Sequence, residues 1–181
     1  MAHQDYTIGW ICVVEPELIA ARAVLDHTNE EKLPTVDGDS NSYTFGQIGR
    51  HNVVIASLPS GTYGTNPAAV VATQMARSFP DLRFVLLVGI GGGVPQMTSD
   101  PDDDIHLGDV VVSNPTYHLG GVIQYDLGKM HQGAPRPTQI GTLNKPPGLI
   151  RTAVASLRAS HGFKSSPLEE HLVKMAQQYR G

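Results

Sequence analysis

The feature that most constrains this chain is a long apolar run near its amino end that leads directly into a turn. Tyr6 to Val14 is continuous and rich in β-branched residues, as is typical of a strand buried on both faces. Pro16 follows almost at once and suits the first turn of a helix, whose apolar stripe extends from Leu18 to Asp26. Arg83 to Val88 is a second buried strand. Strands that alternate with helices predict an α/β domain.

The rest of the chain extends this pattern. Tyr43–Ile48 and Asn52–Leu58 predict a hairpin joined by residues 49–51, and the polar stretch 27–42 before it predicts a surface loop. Further predicted elements are a helix opened by Pro67, strands over Gly108–Ser113 and Val122–Tyr125, a proline-rich connector over 133–148 and two helices after it. We expect one domain over residues 1–181, with three layers and a central mixed, largely parallel sheet flanked by helices.

Length and composition exclude several classes of protein. A chain of 181 residues buries roughly 70% of its unfolded surface, so one core is enough without disulfides or metals. The net charge is −4 and the basic residues are scattered, so we expect no nucleic-acid partner. No apolar run approaches the ~20 residues of a membrane span, and we expect no membrane partner. The single cysteine, Cys12, and the polar amino terminus predict a cytoplasmic protein.

Four loops that follow predicted strands are the candidates for a ligand site. In open α/β sheets ligands bind beyond the carboxyl ends of the strands. The loops are Glu15-Pro16-Glu17, Ser60 to Asn66, Gly89 to Gly93 and Asn114 to Gly121. Their convergence would bring a carboxylate, backbone amides, a tyrosine and a histidine to one cleft.

Glu17 is the candidate general base. It occupies the first turn of the first helix, where the helix terminus favours an ionised carboxylate by ~0.3–1 kcal/mol. The alternative is that Glu17 only complements the helix dipole, and Glu15 is expected to cap the helix. The turn Gly89-Ile90-Gly91-Gly92-Gly93 lets a ligand approach the backbone, and its alternative is a tight turn under crowded neighbours. It is neither a dinucleotide fingerprint nor a P-loop, because Val94 stands where the fingerprint has glycine and no Gly-Lys-Ser/Thr follows.

Metal and cofactor signals are absent from the sequence. Asp100 and Asp102–Asp104 lack the spacing of a calcium loop and predict a solvated acidic loop. No two of the eight histidines have the helical spacing of a zinc site. We therefore expect no metal and no cofactor.

The order of these motifs resembles the superfamily of nucleoside phosphorylases and nucleosidases, which cleave N-glycosidic bonds and include methylthioadenosine nucleosidase. Four segments carry the resemblance. Ile8 to Leu18 resembles the family's first strand and catalytic-glutamate turn, and Ser60 to Ala69 resembles its S-G-x-G-x-x-N-A-A loop. Val88 to Gly93 resembles its T-G-S-A-G-G turn, and Leu107 to Ser113 resembles its V-G-D-I-V-V-S strand. Residues 88–95 and 121–126 are most similar to fungal members, which often form the amino-terminal domain of larger proteins with nucleotide-binding and repeat modules.

The resemblance implies a phosphorylase/hydrolase-like fold and a nucleoside, with a purine base, as the small-molecule ligand. Glu17 takes the catalytic position. The substrate-binding positions are those of the other loops, namely Ser60, Gly61, Thr62, Tyr63, Gly64, Gly89, Ile90, Gly91, Gly92, Asn114, Tyr117 and His118. The Met-Glu pair and the aspartate of the family's carboxyl-terminal third have no counterpart, so we expect a truncated member.

Phosphate is the open question about the reaction. Phosphorylases of this family place an arginine and a serine where this chain has Leu87 and Ile90. Phosphate binds best to charge-assisted donors, so hydrolysis is favoured over phosphorolysis. Two alternatives stay open: a phosphate-dependent phosphorylase, and an inactive nucleoside-sensing or interaction domain of a larger protein.

Assembly is predicted from the same resemblance, because members usually pair across the active-site face. Thr116 to Tyr125 is an aromatic-rich segment of the kind enriched at interface cores. We expect a homodimer in which Tyr117 or His118 contacts the second subunit. The alternative is that these aromatic residues fold over their own subunit.

Overall fold

The computed structural model describes residues 1–30, 33–94, 104–124, 128–133, 135, 137–139, 141–161 and 168–178. They form two compact units, one of Met1–Gly92 with Leu168–Gly181 and the other of Gly93–Pro167. Among the described residues, no helix is long and apolar enough to cross a membrane.

The first unit is built on a five-stranded sheet. Its strands are β1 (Ile8–Cys12), β2 (His27–Asn29), β3 (Tyr43–Ile48), β4 (His51–Ser57) and β5 (Phe84–Leu87), in the spatial order β2-β3-β4-β1-β5. Strand β1 is parallel to both β4 and β5, whereas β2, β3 and β4 pair antiparallel. The helices of this unit are α1 (Glu15–Ala23), α2 (Thr65–Ser78) and α4 (Leu168–Gln178).

Helices α1 and α2 cover opposite faces of the sheet. Successive residues of a strand point to opposite faces, so Ile11 and Cys12 of β1 enter different clusters. Cys12 packs in a buried cluster with Ala21, Leu25, Val53 and Ile55, on the α1 side. Ile11 packs in a second cluster with Tyr6, Phe45, Val54, Ala56, Leu58, Val71, Met75 and Phe79, on the α2 side. The predicted three-layer α/β fold with a mixed sheet is therefore confirmed.

Helix α2 lies directly against the backbone of β1. The sulfur of Met75, which is fully buried, lies 2.7 Å from the point that a Cβ on Gly9 would occupy. Gly9 has no Cβ at that point, so the side chain of Met75 packs directly against the backbone of the strand.

The predicted elements of the first unit are confirmed except at their boundaries and in one strand. Helix α1 ends at Ala23 rather than Asp26, because the Asp26 N–H donates to the carbonyl of Gln47 and joins that residue to the sheet. Strand β2 lies inside the stretch predicted to be a loop, and its polar residues give no apolar pattern by which to find it. The β3–β4 turn has two residues, 49 and 50, instead of three.

The amino end of α2 lies earlier than predicted. The helix begins at Thr65, two residues before Pro67, which lies within the first turn where its missing N–H costs no hydrogen bond. Gly64 precedes the helix with a φ of 102°, a left-handed conformation that glycine adopts without strain.

The described residues of the second unit form few regular elements. Strands β6 (Gly128–Lys129) and β7 (Thr138–Gln139) pair antiparallel, and α3 spans Gly148–His161. Helices α3 and α4 confirm the two predicted after the connector. The strand predicted over Gly108–Ser113 is wrong: this segment lies outside every strand, and Val110 and Val111 are 71% and 74% exposed. Apolar β-branched residues favour a strand only when a partner ladder takes up their backbone groups.

Two further predictions concern residues 100–104 and 122–125, which are only partly described by the structure. Residues 122–124 form no strand in the structure, and Tyr125 lies outside the described residues. Residues 100–103 of the predicted acidic loop are also outside them. The single domain over 1–181 and the connector over 133–148 stay predictions.

Candidate functional site

Three of the four candidate loops begin side by side at the carboxyl edge of the sheet. Strand β1 lies between β4 and β5 and runs parallel to both, so the three strands end at the same edge. Two hydrogen bonds continue this arrangement past the strands, from Leu58 N–H to the carbonyl of Cys12 (3.0 Å) and from Val88 N–H to the carbonyl of Ile11 (3.1 Å). The segments after β1, β4 and β5 therefore start from neighbouring positions.

Glu17 lies in the middle of this edge and accepts three backbone hydrogen bonds. Its Oε2 accepts the N–H of Val13 at 2.6 Å and that of Val14 at 3.1 Å. Its Oε1 accepts the N–H of Ile90 at 2.8 Å. The carboxylate therefore links the start of its own helix to the glycine turn after β5.

The glycine turn approaches this carboxylate closely at Gly89. A Cβ at that position would lie 2.7 Å from Cδ of Glu17 and 3.0 Å from its Oε2. Gly91 and Gly92 are exposed and have nothing within 4 Å of a corresponding Cβ. Only the first of these three glycines is therefore required by a close contact.

The three donors keep Glu17 ionised. Desolvation by burial raises the pKa of its carboxyl, but the backbone hydrogen bonds lower it by more, and the net pKa lies below the ordinary value for glutamate. A carboxylate offers about four acceptor positions, of which the three N–H groups occupy three. One position remains, and it is on Oε1.

The loop after β4 is exposed and held by short-range bonds. Thr62 folds the loop back, with its N–H and its hydroxyl both donating to the carbonyl of Pro59, at 3.0 and 2.5 Å. The carbonyl of Gly64 accepts from Ala68 N–H inside the first turn of α2. Ser60, Gly61 and Tyr63 are exposed, and Tyr63 keeps 67% of its surface accessible.

The fourth loop belongs to the second unit. Thr116 and Leu119 form an isolated antiparallel bridge, with Tyr117 and His118 at the tip of the turn between them. Tyr117 is 92% exposed and has a φ of 51°. Its carbonyl accepts from Nζ of Lys145 at 3.1 Å, and Asn114 is exposed.

A buried thiol lies behind the carboxylate on β1. Cys12 is fully buried, and burial raises the pKa of its thiol to about 11, with smaller influences from Trp10, which lowers the pKa, and from the negative charge of Glu17, which raises it. The thiol is therefore uncharged at neutral pH and a poor nucleophile. Within the part of the chain that the structure describes, no group of three or more His, Cys, Asp or Glu side chains is placed to hold a metal.

The sequence did not reveal which groups hold Glu17. The amides of Val13 and Val14 are main-chain donors, which leave no trace in the residue types. The one available signal is that Glu17 is three residues after Val14, the spacing at which a glutamate reaches back to the residue before a helix. The contact with Ile90 depends on the strand order, which the sequence does not specify.

Fold and site together define a three-layer α/β protein with an ionised carboxylate at the carboxyl edge of its parallel strands. The chain belongs to the phosphorylase superfamily, whose family model matches residues 7–175. This confirms the predicted family.

The chain is also similar to a protein of Hyaloscypha variabilis described as a nucleotide-binding leucine-rich repeat (NLR)-like protein. The two are 52% identical over 162 residues, which cover 88% of this chain. The chain spans about 15% of that relative's length. No solved structure matches the chain.

Proposed function

We propose that the chain cleaves the N-glycosidic bond of a purine nucleoside by hydrolysis, with Glu17 as the general base. The observation that carries this proposal is the carboxylate held at the β1–β5 edge with one acceptor position left on Oε1. One free position suits one donor, such as a water molecule. Membership of the phosphorylase superfamily supplies the class of bond.

The chemistry that follows is a displacement at the anomeric carbon of the sugar. Water donates a hydrogen bond to Oε1 of Glu17 and transfers its proton there as its oxygen bonds to the anomeric carbon. The carbon–nitrogen bond breaks, and its electron pair leaves with the base. Positive charge develops on the sugar in such a transition state, and an ionised carboxylate beside it is stabilising.

A low pKa makes Glu17 a weak base but a dependable anion. Its lowered pKa keeps the carboxylate charged at neutral pH and down to a lower pH than an ordinary glutamate. Departure of the base generates most of the electrophilic character at the sugar, so orientation of the water matters more than basicity.

Two features favour water over phosphate as the nucleophile. The N–H of Ile90 already donates to Glu17, so it is not free to bind an anion. The carboxylate would also repel a phosphate placed against the same turn. Phosphorolysis is the alternative that the experiment must separate.

The experiment is to incubate the protein with purine nucleosides and methylthioadenosine, with and without phosphate. We expect free base and free sugar without phosphate, and a loss of rate of roughly a hundredfold or more in Glu17→Gln. Glu15→Gln is the matched control, since Glu15 shares the first turn of α1 and is exposed. Sugar 1-phosphate formed only with phosphate would establish phosphorolysis, and an unchanged Glu17→Gln rate would remove Glu17 from the reaction.

A second candidate is a nucleoside-binding domain without turnover, within a larger protein. It is favoured by the relative described as NLR-like, of which this chain spans about 15%. Calorimetric titration with the same nucleosides separates the two candidates. Binding without release of base supports the sensing domain, and release of base rejects it.

We also propose a homodimer in which the tip formed by Tyr117 and His118 contacts the second subunit. The support is the near-complete exposure of Tyr117, an aromatic side chain of the type enriched at interface cores. Light scattering of the wild type and of Tyr117→Ser tests it. We expect a dimer that weakens in the variant, and a wild-type monomer at tens of micromolar would reject the arrangement.

A further inference from the structure

Gly89 is a glycine for reasons of space and not of conformation. Its φ lies outside the left-handed region, which among the described glycines is occupied by Gly38, Gly49, Gly61, Gly64, Gly108, Gly121 and Gly133. Any L residue adopts such a backbone. What a side chain meets at this position is the carboxylate of Glu17, with Cδ 2.7 Å from the Cβ. A contact under 3.0 Å requires one of the two groups to move.

The carboxylate cannot move without losing its donors. Oε2 is fixed by the amides of Val13 and Val14, and Oε1 by the amide of Ile90. Ile90 follows Gly89 directly, so the residue that would collide with Glu17 is covalently joined to the residue that donates to it. A Cβ at 89 therefore separates the turn from the carboxylate.

We propose that Gly89 is a positioning residue for Glu17: its missing Cβ lets the Ile90 amide reach Oε1, which leaves a single acceptor position on that oxygen for the reacting water. The part of this inference that concerns the water rests on the proposed hydrolysis. The part that concerns the placement of the carboxylate does not.

The electrostatic surroundings make the charge of Glu17 a usable readout. On the bordering segments that the structure describes, the titratable or charged side chains are those of Cys12 on β1, Glu15 and Arg22 on α1, and Tyr63 in the loop after β4. Arg22 lies in the last turn of α1 and donates to the hydroxyl of Thr44. The segment 84–92 has none. Cys12 is held neutral by burial, so the acid titration of Glu17 is governed mainly by its backbone donors.

The first test compares Gly89→Ala with Gly91→Ala by following the carboxyl resonance of Glu17 in isotope-labelled protein as the pH falls. Loss of the Ile90 donor removes one cause of the low pKa, so the midpoint should move up in Gly89→Ala and stay unchanged in Gly91→Ala. Gly91 is the matched control, because it belongs to the same turn and its Cβ meets open space. An unmoved midpoint in Gly89→Ala overturns the proposal.

The second test is a double-mutant cycle on stability, which needs no activity. If Gly89→Ala is destabilising or fails to fold because its Cβ strikes the carboxylate, that penalty should largely disappear in a Glu17→Ala background. Equal penalties in both backgrounds would show that Gly89 has a role independent of Glu17, and would overturn the proposal.

The third test concerns catalysis and separates this proposal from the proposed function. We expect Gly89→Ala to lower kcat by between about tenfold and a hundredfold, with a smaller change in KM. We also expect the acid limb of its pH–rate profile to move to higher pH. An unaffected rate in Glu17→Gln would refute hydrolysis by Glu17 and leave the resonance and stability results standing. An unchanged acid limb in an active Gly89→Ala enzyme would refute the positioning role.

Discussion

Removal of the Glu17 carboxylate should cost stability as well as activity. The side chain satisfies three backbone N–H groups at 2.6, 3.1 and 2.8 Å. Hydrogen bonds to a charged group contribute about 1.5–3 kcal/mol each when they are sheltered from water. Ile90 is 76% exposed and its N–H can return to water, so mainly the bonds from Val13 and Val14 count. We expect Glu17→Ala to lower the free energy of unfolding by about 3 kcal/mol.

Glutamine should cost less than alanine at this position. Its carbonyl oxygen can replace Oε2 and keep the bonds from Val13 and Val14, but its amide then faces the N–H of Ile90, donor against donor. We expect a loss of about 1 kcal/mol for Glu17→Gln. The assay is urea unfolding at pH 7, followed by the fluorescence of Trp10, the single tryptophan, which lies on β1.

The pH dependence of stability tests independently whether Glu17 stabilises the fold in its ionised form. The pKa of Glu17 is lower in the folded chain than in the unfolded one, so its stabilising contribution is fully present above the unfolded pKa of about 4.3. It is lost as the pH falls through the folded pKa. The Glu17→Ala penalty should therefore shrink in acid. Glu15→Ala is the control and should cost less than about 1 kcal/mol. Equal losses of stability in Glu17→Ala and Glu15→Ala would refute the reasoning. A loss in Glu17→Ala that is independent of pH would also refute it.

Three further outcomes test the core and the buried polar groups. Met75→Ala should lower the free energy of unfolding by about 2–5 kcal/mol and Met75→Leu by less than about 1.5, because Met75 is fully buried against Gly9. A thiol reagent should label Cys12 far faster in urea than in the native protein, and equal rates would contradict its burial. Ser78→Ala removes a donor to Asp39 and should cost about 1–2 kcal/mol in urea unfolding. Burial raises the pKa of Asp39, but its hydrogen bonds lower the pKa by more, so the net pKa lies below the ordinary value. The cost of Ser78→Ala should therefore shrink as the pH falls through the pKa of Asp39 in the folded protein.

Most of the first unit could be predicted from sequence because its elements carry strong apolar patterns. Strand β1 and helix α2 are buried along whole faces, and their periodicity follows from that burial. Strand β2 has no such face: His27 and Thr28 are exposed, and its pairing with β3 uses backbone groups only. Val110 and Val111 show the reverse case, in which a strand-like sequence has no ladder in the structure. An apolar pattern therefore predicts which residues are buried. It predicts strand pairing only where another strand lies beside the segment.

The candidate site divides in the same way. The sequence makes Glu17 a candidate because it follows a buried strand, and it makes the glycine turn a candidate because of its composition. Their contact could not be predicted, because it requires β5 to lie beside β1, and the apolar patterns of the strands do not reveal their spatial order. The placement of Tyr117 and His118 at the tip of a turn was equally inaccessible, since the bridge from Thr116 to Leu119 has no marker in sequence.

The strand order also explains how one glutamate side chain joins two neighbouring segments at the edge of the sheet. The last ladder bond between β1 and β5 runs from Val88 N–H to the carbonyl of Ile11. Beyond it β1 turns into α1, and the next donor on the β5 side, the N–H of Ile90, is accepted by the side chain of Glu17 instead of by a strand. Glu17 thus continues the sheet by one bond past its backbone end. A residue in this position is held by three backbone donors and is charged, and its remaining acceptor position is on Oε1. Stability and activity should therefore fall together in Glu17→Ala and diverge in Glu17→Gln, which keeps two of the three bonds and loses the charge.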